Sequence, residues 1–219
     1  MKGVTVLTCL VFDLDETIYP RSSGLMQAIS DRISAYMIER LRMDPEVVPQ
    51  LRRKYWAEYG TTSRGLQILH GIDVEDYMAY VHDLPLRDHI APDPQLDATL
   101  GSLPQRKVIF TNASADHARA VLEVVGVAHH FEAVYDAFFA ENESKPALGA
   151  YRRLIAALGL PASSCMMIED AARNLRPAKS LGMRTVLVDP PPEADLEGVD
   201  YVIDRAADIG RIVERIHHK

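Results

Sequence analysis

The sequence is poor in cysteine, in long apolar runs and in clustered positive charge, and each shortage excludes a class of protein. Its only two cysteines, Cys9 and Cys165, fall in apolar stretches, which predicts buried reduced thiols rather than disulfides or a metal site. No window reaches the roughly 18 apolar residues that a membrane span needs. The first residues lead into a predicted strand rather than a signal-peptide cleavage site, so we expect a cytoplasmic protein with no membrane partner. With a net charge of −7 and no Lys/Arg cluster, we expect no nucleic-acid partner.

What the sequence does contain is an apolar run that ends in acids. The 219 residues, 47% of them hydrophobic, suffice for one sizeable domain or a core with an insertion. Residues 4–12 are rich in β-branched and aromatic side chains, which predicts a strand buried on both faces of a parallel sheet. Asp13 and Asp15 follow directly and project to the same side. Because open α/β sheets bind ligands at this end of their strands, we expect the site there.

Two neighbouring carboxylates suit two kinds of chemistry. Like charges held close raise one proton affinity and favour a cation between them, so the pair can hold Mg²⁺. Alternatively, one carboxylate can act as a nucleophile and the other as an acid. The competing interpretation of Asp13 and Asp15 is a solvated surface turn, and the buried type of strand before them argues against it.

The segment after this strand predicts helices. Apolar positions recur at helical spacing over residues 25–41, and a second helical stretch covers about residues 47–59. Residues 59–66 have turn-forming composition, with a short helix over 66–70, and Asp73 is placed to cap a helix that begins at residue 74. No strand is predicted between residues 19 and 88. We therefore expect an all-helical insertion at residues 20–87 within a core of residues 1–19 and 88–219.

The rest of the chain alternates between strands and helices, which predicts an α/β fold with a doubly wound parallel sheet. Strands are expected at residues 107–110, 131–135, 165–168, 185–188 and 201–203. Helices are expected over 95–102, 114–125 and 147–158, from the region of Asn174 to about residue 181, and at the end of the chain. A start near Asn174 places Pro177 in the first turn of its helix, where the missing N–H costs little.

Polar side chains follow four of the strands or lie in the loops after them. Most have an ordinary structural alternative. Thr111 and Asn112 could cap the next helix, and Lys145, before Pro146, could be a solvated loop lysine. Glu169 and Asp170 could be acids that interact with a helix dipole. These alternatives weaken together because the carboxyl ends of parallel strands meet at one crevice. The residues are Asp13 and Asp15, Thr111 and Asn112, Lys145, and Glu169 and Asp170.

These four groups, in this order and over essentially the full length, resemble the motifs of the haloacid dehalogenase superfamily. The first motif is the segment Phe-Asp-Leu-Asp-Glu-Thr at residues 12–17. The resemblance implies a Rossmann-like core with an inserted helical cap. Haloacid dehalogenases lack an acid at the second position of this motif. Asp15 therefore favours phosphate-ester hydrolysis over dehalogenation.

The resemblance also implies roles for the acids. Asp13 attacks the phosphoryl group and forms an aspartyl phosphate. Asp15 protonates the leaving oxygen and then activates water. The implied cofactor is Mg²⁺, held by Asp13, Asp170 and the backbone carbonyl of Asp15, with Glu169 tuning the metal from further out or through water.

The remaining motif residues have implied roles toward the phosphate. Thr111 and the neighbouring amide of Asn112 hold phosphate oxygens, and Lys145 balances the charge that develops on the transferring group.

Further stretches look like the pyrimidine 5′-nucleotidase branch of the superfamily. They are residues 15–20, 59–66, 70–73 and 80–85, and they imply nucleoside monophosphate substrates such as UMP or CMP, hence nucleotide metabolism. Within the cap, Arg64 offers a planar cation for a phosphate or a base carbonyl, and Thr61, Thr62 and His70 offer hydrogen bonds. Structural roles are the alternative for all four.

Other functions stay open at this point. A sugar-phosphate or phosphoglycolate phosphatase shares the chemistry, and a phosphomutase is a more distant relation. From another class, a non-catalytic nucleotide-binding module could keep the same fold. We expect a monomer or homodimer.

Overall fold

The computed structural model describes residues 6–140 and 143–217, and a six-stranded parallel sheet forms its core. The strand order is β3-β2-β1-β4-β5-β6, so β1 lies in the centre between β2 and β4. The predicted strand at residues 4–12 is a strand only from Cys9, and residues 4 and 5 lie outside the described part. The strands are β1 Cys9–Phe12, β2 Arg106–Phe110, β3 Ala133–Tyr135, β4 Cys165–Glu169, β5 Arg184–Val188 and β6 Tyr201–Ile203.

Helices connect the strands, as the alternating pattern predicted. The predicted α/β class with an inserted set of helices is confirmed. No helix among the described residues combines the length and apolarity that a bilayer crossing requires. The helices are α1 Leu25–Glu39, α2 Val48–Tyr59, α3 Thr62–His70, α4 Val74–Val81, α5 Pro94–Ser102, α6 Ala115–Val125, α7 Leu148–Leu158, α8 Ala172–Ser180 and α9 Ile209–His217.

The register of β1 sets the position of the loops that follow the central strands. Phe12, the last residue of β1, pairs with Ile109 of β2 and with Ile168 of β4. All four residues of β1 are buried, as expected for a central strand of a parallel sheet. The loops after β1, β2 and β4 therefore leave the sheet side by side.

Both cysteines lie in the core as predicted. Cys9 and Cys165 are register partners on β1 and β4, and both are buried free thiols.

The chain forms two compact units. One comprises the residues up to Ser22 together with those from Ile90 onward, and it contains the sheet. The other, Ser23–His89, contains only helices α1 to α4 and short turns. Within this helical unit, Asp73 caps α4 as predicted, accepting hydrogen bonds from the backbone N–H groups of Glu75 and Asp76.

Two local predictions are wrong. The turn predicted for residues 59–66 is mostly helix, because Thr61 caps α3 by accepting a hydrogen bond from the Arg64 backbone N–H. The eighth helix begins at Ala172 rather than near Asn174, so Pro177 lies in its interior and not in its first turn. A proline there cannot donate the backbone hydrogen bond of that turn.

Candidate active site

Buried charged side chains meet where β1 and β4 end. Lys145 Nζ lies 2.5 Å from Asp13 Oδ1 and 2.8 Å from Glu169 Oε2. Asp13 follows β1, Glu169 is the last residue of β4, and Lys145 precedes α7. The neighbouring Asp170 completes the group, because one carboxylate oxygen from each of Asp13, Glu169 and Asp170 lies within 4.8 Å of the others. The structure thus brings together residues that the sequence places far apart.

The position of Asp13 is fixed by the central strands. Its backbone N–H donates to the carbonyl of Ile168 on β4 at 2.8 Å, which continues the sheet hydrogen bonding by one residue. Thr17 Oγ1 donates to Asp13 Oδ2 at 3.3 Å. The residue is only 6% exposed, so its carboxylate meets the Lys145 ammonium in a low-dielectric setting.

Lys145 is held by the loop that follows β2. The Asn112 side chain makes a reciprocal pair with the Lys145 backbone: Nδ2 donates to the carbonyl at 3.0 Å, and Oδ1 accepts from the N–H at 2.9 Å. Lys145 is 1% exposed, which rules out a solvated loop lysine. The carboxamide of Asn112 therefore orients the lysine.

Thr111 is buried beside this clamp. Its backbone N–H donates to the Tyr135 carbonyl at 2.9 Å, and its Oγ1 accepts from the Ala113 N–H at 3.0 Å. The residue that caps α6 is Ser114, so Thr111 and Asn112 are not the helix cap that was the alternative for them.

Electrostatics favours protons or cations at this site. Burial raises the pKa of Asp13 from 3.8 to about 7, and the charge of Glu169 adds to the rise while Lys145 opposes it. Burial likewise raises the pKa of Glu169 from 4.5 to about 7 and, together with the charge of Asp13, that of Asp170 from 3.8 to about 6. Burial alone lowers the pKa of Lys145, but the two facing carboxylates outweigh it and raise that pKa.

The donor set fits a hard divalent cation. Asp13, Glu169 and Asp170 offer carboxylate oxygens, the ligand type that Mg²⁺ prefers. Three carboxylates against the ammonium of Lys145 and the guanidinium of Arg21 leave an excess of negative charge, which a bound cation would offset. Of the predicted ligands, Asp13, Glu169 and Asp170 each contribute an oxygen to this group, and both Asp13 and Glu169 also contact Lys145.

These pKa values predict how pH and Mg²⁺ affect stability. Between pH 3.8 and about 7 the folded protein binds more protons at Asp13, Glu169 and Asp170 than the unfolded chain, so their contribution to stability falls as the pH rises. Mg²⁺ binds the ionised carboxylates, and we expect it to raise the Tm more at about pH 8 than at about pH 5. Thermal unfolding with Mg²⁺ and with EDTA at both pH values measures this difference.

The control for this prediction is Asp170→Asn, which removes one candidate ligand and should reduce the Mg²⁺ effect at the higher pH. A Tm rise of equal size at both pH values would contradict the assignment of these carboxylates as the metal site.

Asp15 lies in the same loop as Asp13, with 21% of its side chain exposed. Its Oδ1 accepts a hydrogen bond from Tyr19 Oη at 2.7 Å and lies 3.3 Å from His117 Nε2. The sequence analysis missed both partners. A signal for His117 existed, because it lies one turn before Val121 on the apolar face of α6.

Arg21 is a further residue that the sequence analysis missed. Its guanidinium bridges two acids, with Nη1 2.7 Å from Glu16 Oε2 and Nη2 2.9 Å from Asp170 Oδ2. It adds a second cation beside the carboxylate cluster. No sequence pattern distinguishes it from an ordinary surface arginine.

The four cap residues predicted to bind substrate lie on or next to α3 in the helical unit. Thr61 caps this helix and Thr62 is buried in its first turn. Arg64 Nη1 donates to Gln67 Oε1 at 2.5 Å. His70 Nε2 lies 2.9 Å from Tyr55 Oη. Their role toward substrate stays a prediction.

The fold and the site together define a doubly wound α/β protein with a lysine-bridged acid cluster at the carboxyl ends of its central strands. The family model for haloacid dehalogenase-like hydrolases matches residues 7–182, and the chain belongs to this family.

Individual relatives agree with the family. Phosphate metabolism protein 8 of Saccharomyces cerevisiae is 29% identical over 191 residues, which cover 80% of this chain and 60% of the yeast protein. This chain thus spans less than two thirds of that relative. A phosphoglycolate phosphatase of Rhodospirillum rubrum is 26% identical over 198 residues, 82% of this chain and 78% of the relative. Among solved structures, Bacillus subtilis YfnB bound to magnesium has a TM-score of 0.65 at 15% identity, covering 95% of this chain and 99% of YfnB.

Proposed function

We propose that the protein is a Mg²⁺-dependent phosphomonoesterase that works through an aspartyl phosphate. The observation that carries this proposal is the buried Asp13 carboxylate, which Lys145 contacts and which has an oxygen within 4.8 Å of an Asp170 carboxylate oxygen. Membership of a hydrolase family and the names of the two relatives support it. The intact set of Asp13, Asp15, Thr111 and Lys145 argues against a nucleotide-binding module without chemistry.

The reaction divides into two displacements. In the first, an Asp13 carboxylate oxygen bonds to phosphorus while the bond to the ester oxygen breaks, and Asp15 gives its proton to that oxygen. In the second, Asp15 takes a proton from water, and the water oxygen replaces Asp13 on phosphorus. Both residues return to their starting states, and the products are an alcohol and phosphate.

The other residues supply charge and position. Lys145 sits against Asp13, where it offsets negative charge on the transferring group, and Asn112 keeps it there. Thr111 and the neighbouring backbone amide bind phosphate oxygens. Bound Mg²⁺, held by Asp13, Asp170 and the Asp15 carbonyl, would lower the repulsion between carboxylate and phosphate.

For the substrate we propose nucleoside 5′-monophosphates with a pyrimidine base. The supporting observation is the resemblance of residues 15–20 and of the α3 region to pyrimidine 5′-nucleotidases, together with the polar groups that α3 carries. A second candidate is phosphoglycolate or a similar small organic phosphate, which the name of the Rhodospirillum relative favours. We further propose a cytoplasmic monomer or homodimer.

A substrate panel tests the assignment. Phosphate release is measured with Mg²⁺ across UMP, CMP, dTMP, AMP, GMP, phosphoglycolate and several sugar phosphates. Higher kcat/KM for the pyrimidine monophosphates than for the other compounds is the expected result. Activity confined to phosphoglycolate or sugar phosphates would agree with the proposed phosphatase chemistry and would contradict the proposal of a nucleotide substrate.

Arg64→Ala should change substrate preference more than basic catalysis. If its guanidinium contacts the leaving group, the variant loses roughly 10-fold or more in kcat/KM for UMP but little for 4-nitrophenyl phosphate, which lacks a nucleoside. The matched control is Arg53→Ala, which removes an exposed arginine of the same helical unit and should leave both substrates unaffected. Equal losses on both substrates would exclude a role in selectivity.

A further inference from the structure

We propose that His117 is a positioning residue for Asp15. This inference rests on the proposed function, since it concerns the acid and base of that reaction. His117 does not belong to any of the four motifs, and it comes from a helix rather than from a strand end.

The geometry singles out one oxygen of Asp15. His117 Nε2 lies 3.3 Å from Oδ1, and Tyr19 Oη donates to the same Oδ1 at 2.7 Å. Tyr19 belongs to the loop that carries Asp15, whereas His117 comes from α6, 102 residues along the chain. Two polar groups from different elements converge on Oδ1, and contact with both would restrict the rotation of the carboxylate.

The burial of His117 requires an explanation. Its side chain is 1% exposed, and it lies in the first turn of α6, where its backbone N–H donates to Ser114 Oγ. The next residues on that face, Ala118 and Val121, are fully buried and apolar. An apolar side chain would fill the position without a polar group to desolvate. Imidazole instead places a ring nitrogen within hydrogen-bonding distance of Asp15 Oδ1.

The orientation of the Asp15 carboxyl group matters because it exchanges protons with two different partners in the two steps. It must reach the leaving oxygen of the ester in the first displacement and a water molecule in the second. A misplacement of about 1 Å at a reacting group can cost about 100-fold in rate. His117 lies in a rigid helix, α6, which follows the loop after β2. Its contact with Asp15 therefore links Asp15 to the same part of the fold that holds Asn112 and Lys145.

Two substitutions separate hydrogen bonding from packing. His117→Leu fills much of the space without a donor, whereas His117→Gln keeps an N–H group near the end of the side chain. We expect His117→Leu to lower kcat for an alkyl phosphate ester by about 10- to 100-fold, with KM changed less than about 3-fold. We expect His117→Gln to recover a substantial part of the lost kcat. Val121→Ala is the control, because it weakens the same helix face and should lower Tm without lowering kcat.

Leaving-group dependence provides a readout that a purely structural role would not affect. An alkyl phosphate needs a proton on its leaving oxygen, whereas 2,4-dinitrophenyl phosphate has a leaving group that departs without one. Alcohol release in a single turnover isolates the first displacement. His117→Leu should slow release from the alkyl ester at least about 10-fold more than release from the dinitrophenyl ester.

Three outcomes are distinguishable. Selective loss on the alkyl ester, partly recovered in His117→Gln, supports the inference. Equal loss on both esters, or wild-type rates in His117→Leu, overturns it while the proposed function stands. A wild-type protein that releases no phosphate from any ester overturns the proposed function itself.

A double variant provides a further check. His117→Leu should cause no additional loss of kcat in an Asp15→Asn background, because its effect passes through Asp15. A full additional loss of kcat overturns the inference.

Discussion

Asp13→Asn should abolish turnover and leave the fold intact. The substitution keeps the size of the side chain but removes the nucleophilic carboxylate, and loss of a nucleophile costs roughly 10⁴-fold or more in kcat. Burial raises the pKa of Asp13 to about 7, so its ionised form destabilises the folded state at neutral pH. The Tm of the variant without metal should therefore not fall below that of the wild type at about pH 8. Phosphate release at saturating Mg²⁺ and thermal unfolding measure the two effects.

The matched control is Asp116→Asn, which makes the same chemical change at an exposed residue of α6. It should keep wild-type activity, whereas loss of activity in Asp13→Asn after the same purification excludes a contaminating phosphatase as the source of the signal. Substantial turnover by Asp13→Asn would remove Asp13 from the role of nucleophile.

Lys145→Ala has the second largest expected effect, and it should reduce both catalysis and stability. Its ammonium contacts Asp13 and Glu169 in a fully buried position, so its loss leaves two acids without the cation that faces them. Removing one partner of a buried ion pair costs about 3–5 kcal/mol in the free energy of unfolding. Loss of a charge that stabilises the transition state lowers kcat by about 10²- to 10³-fold. Urea denaturation and steady-state kinetics give the two numbers.

A second buried lysine serves as the control. Lys107 lies near the start of β2 and donates to the carbonyls of Leu103 and Gln105, away from the carboxylate cluster. Lys107→Ala should lower stability and preserve kcat. Wild-type kcat in Lys145→Ala would show that the lysine is structural.

The sheet and its loops could be predicted from sequence because their signals are local. Residues 165–168 form a short apolar run followed by two acids, and β4 ends at Glu169 as that pattern indicated. The same reasoning placed Asp13 and Lys145 at one edge of the sheet. Asp13 and Glu169 lie side by side because β1 and β4 are neighbours, and Asn112, in the loop after β2, holds Lys145 beside them.

The start of α3 shows where local patterns fail. Thr61, Thr62 and Ser63 have turn-forming composition, but the Thr61 hydroxyl caps the helix and the next two residues are buried in it. Ser and Thr favour turns and helix N-termini for the same reason, a side-chain oxygen that accepts backbone hydrogen bonds. The composition alone therefore cannot decide between the two.

The partners of Asp15 needed the folded structure for another reason. Tyr19 meets Asp15 through the conformation of their shared loop, and His117 meets it because this loop and α6 pack together. Neither residue type identifies its partner. The polar residue on the apolar face of α6 was a detectable sign of a buried contact. Its partner was not detectable.

The central claim is that phosphate passes through Asp13, and mass spectrometry of acid-quenched enzyme tests it most directly. The protein is mixed with Mg²⁺ and UMP, or whichever ester the panel selects, quenched within the first turnovers and digested. We predict that the peptide containing Asp13 gains the mass of one phosphoryl group, that EDTA prevents the gain, and that Asp13→Asn lacks it. Rapid phosphate release with no modification of this peptide in the wild type, or modification of a different residue, would contradict the account.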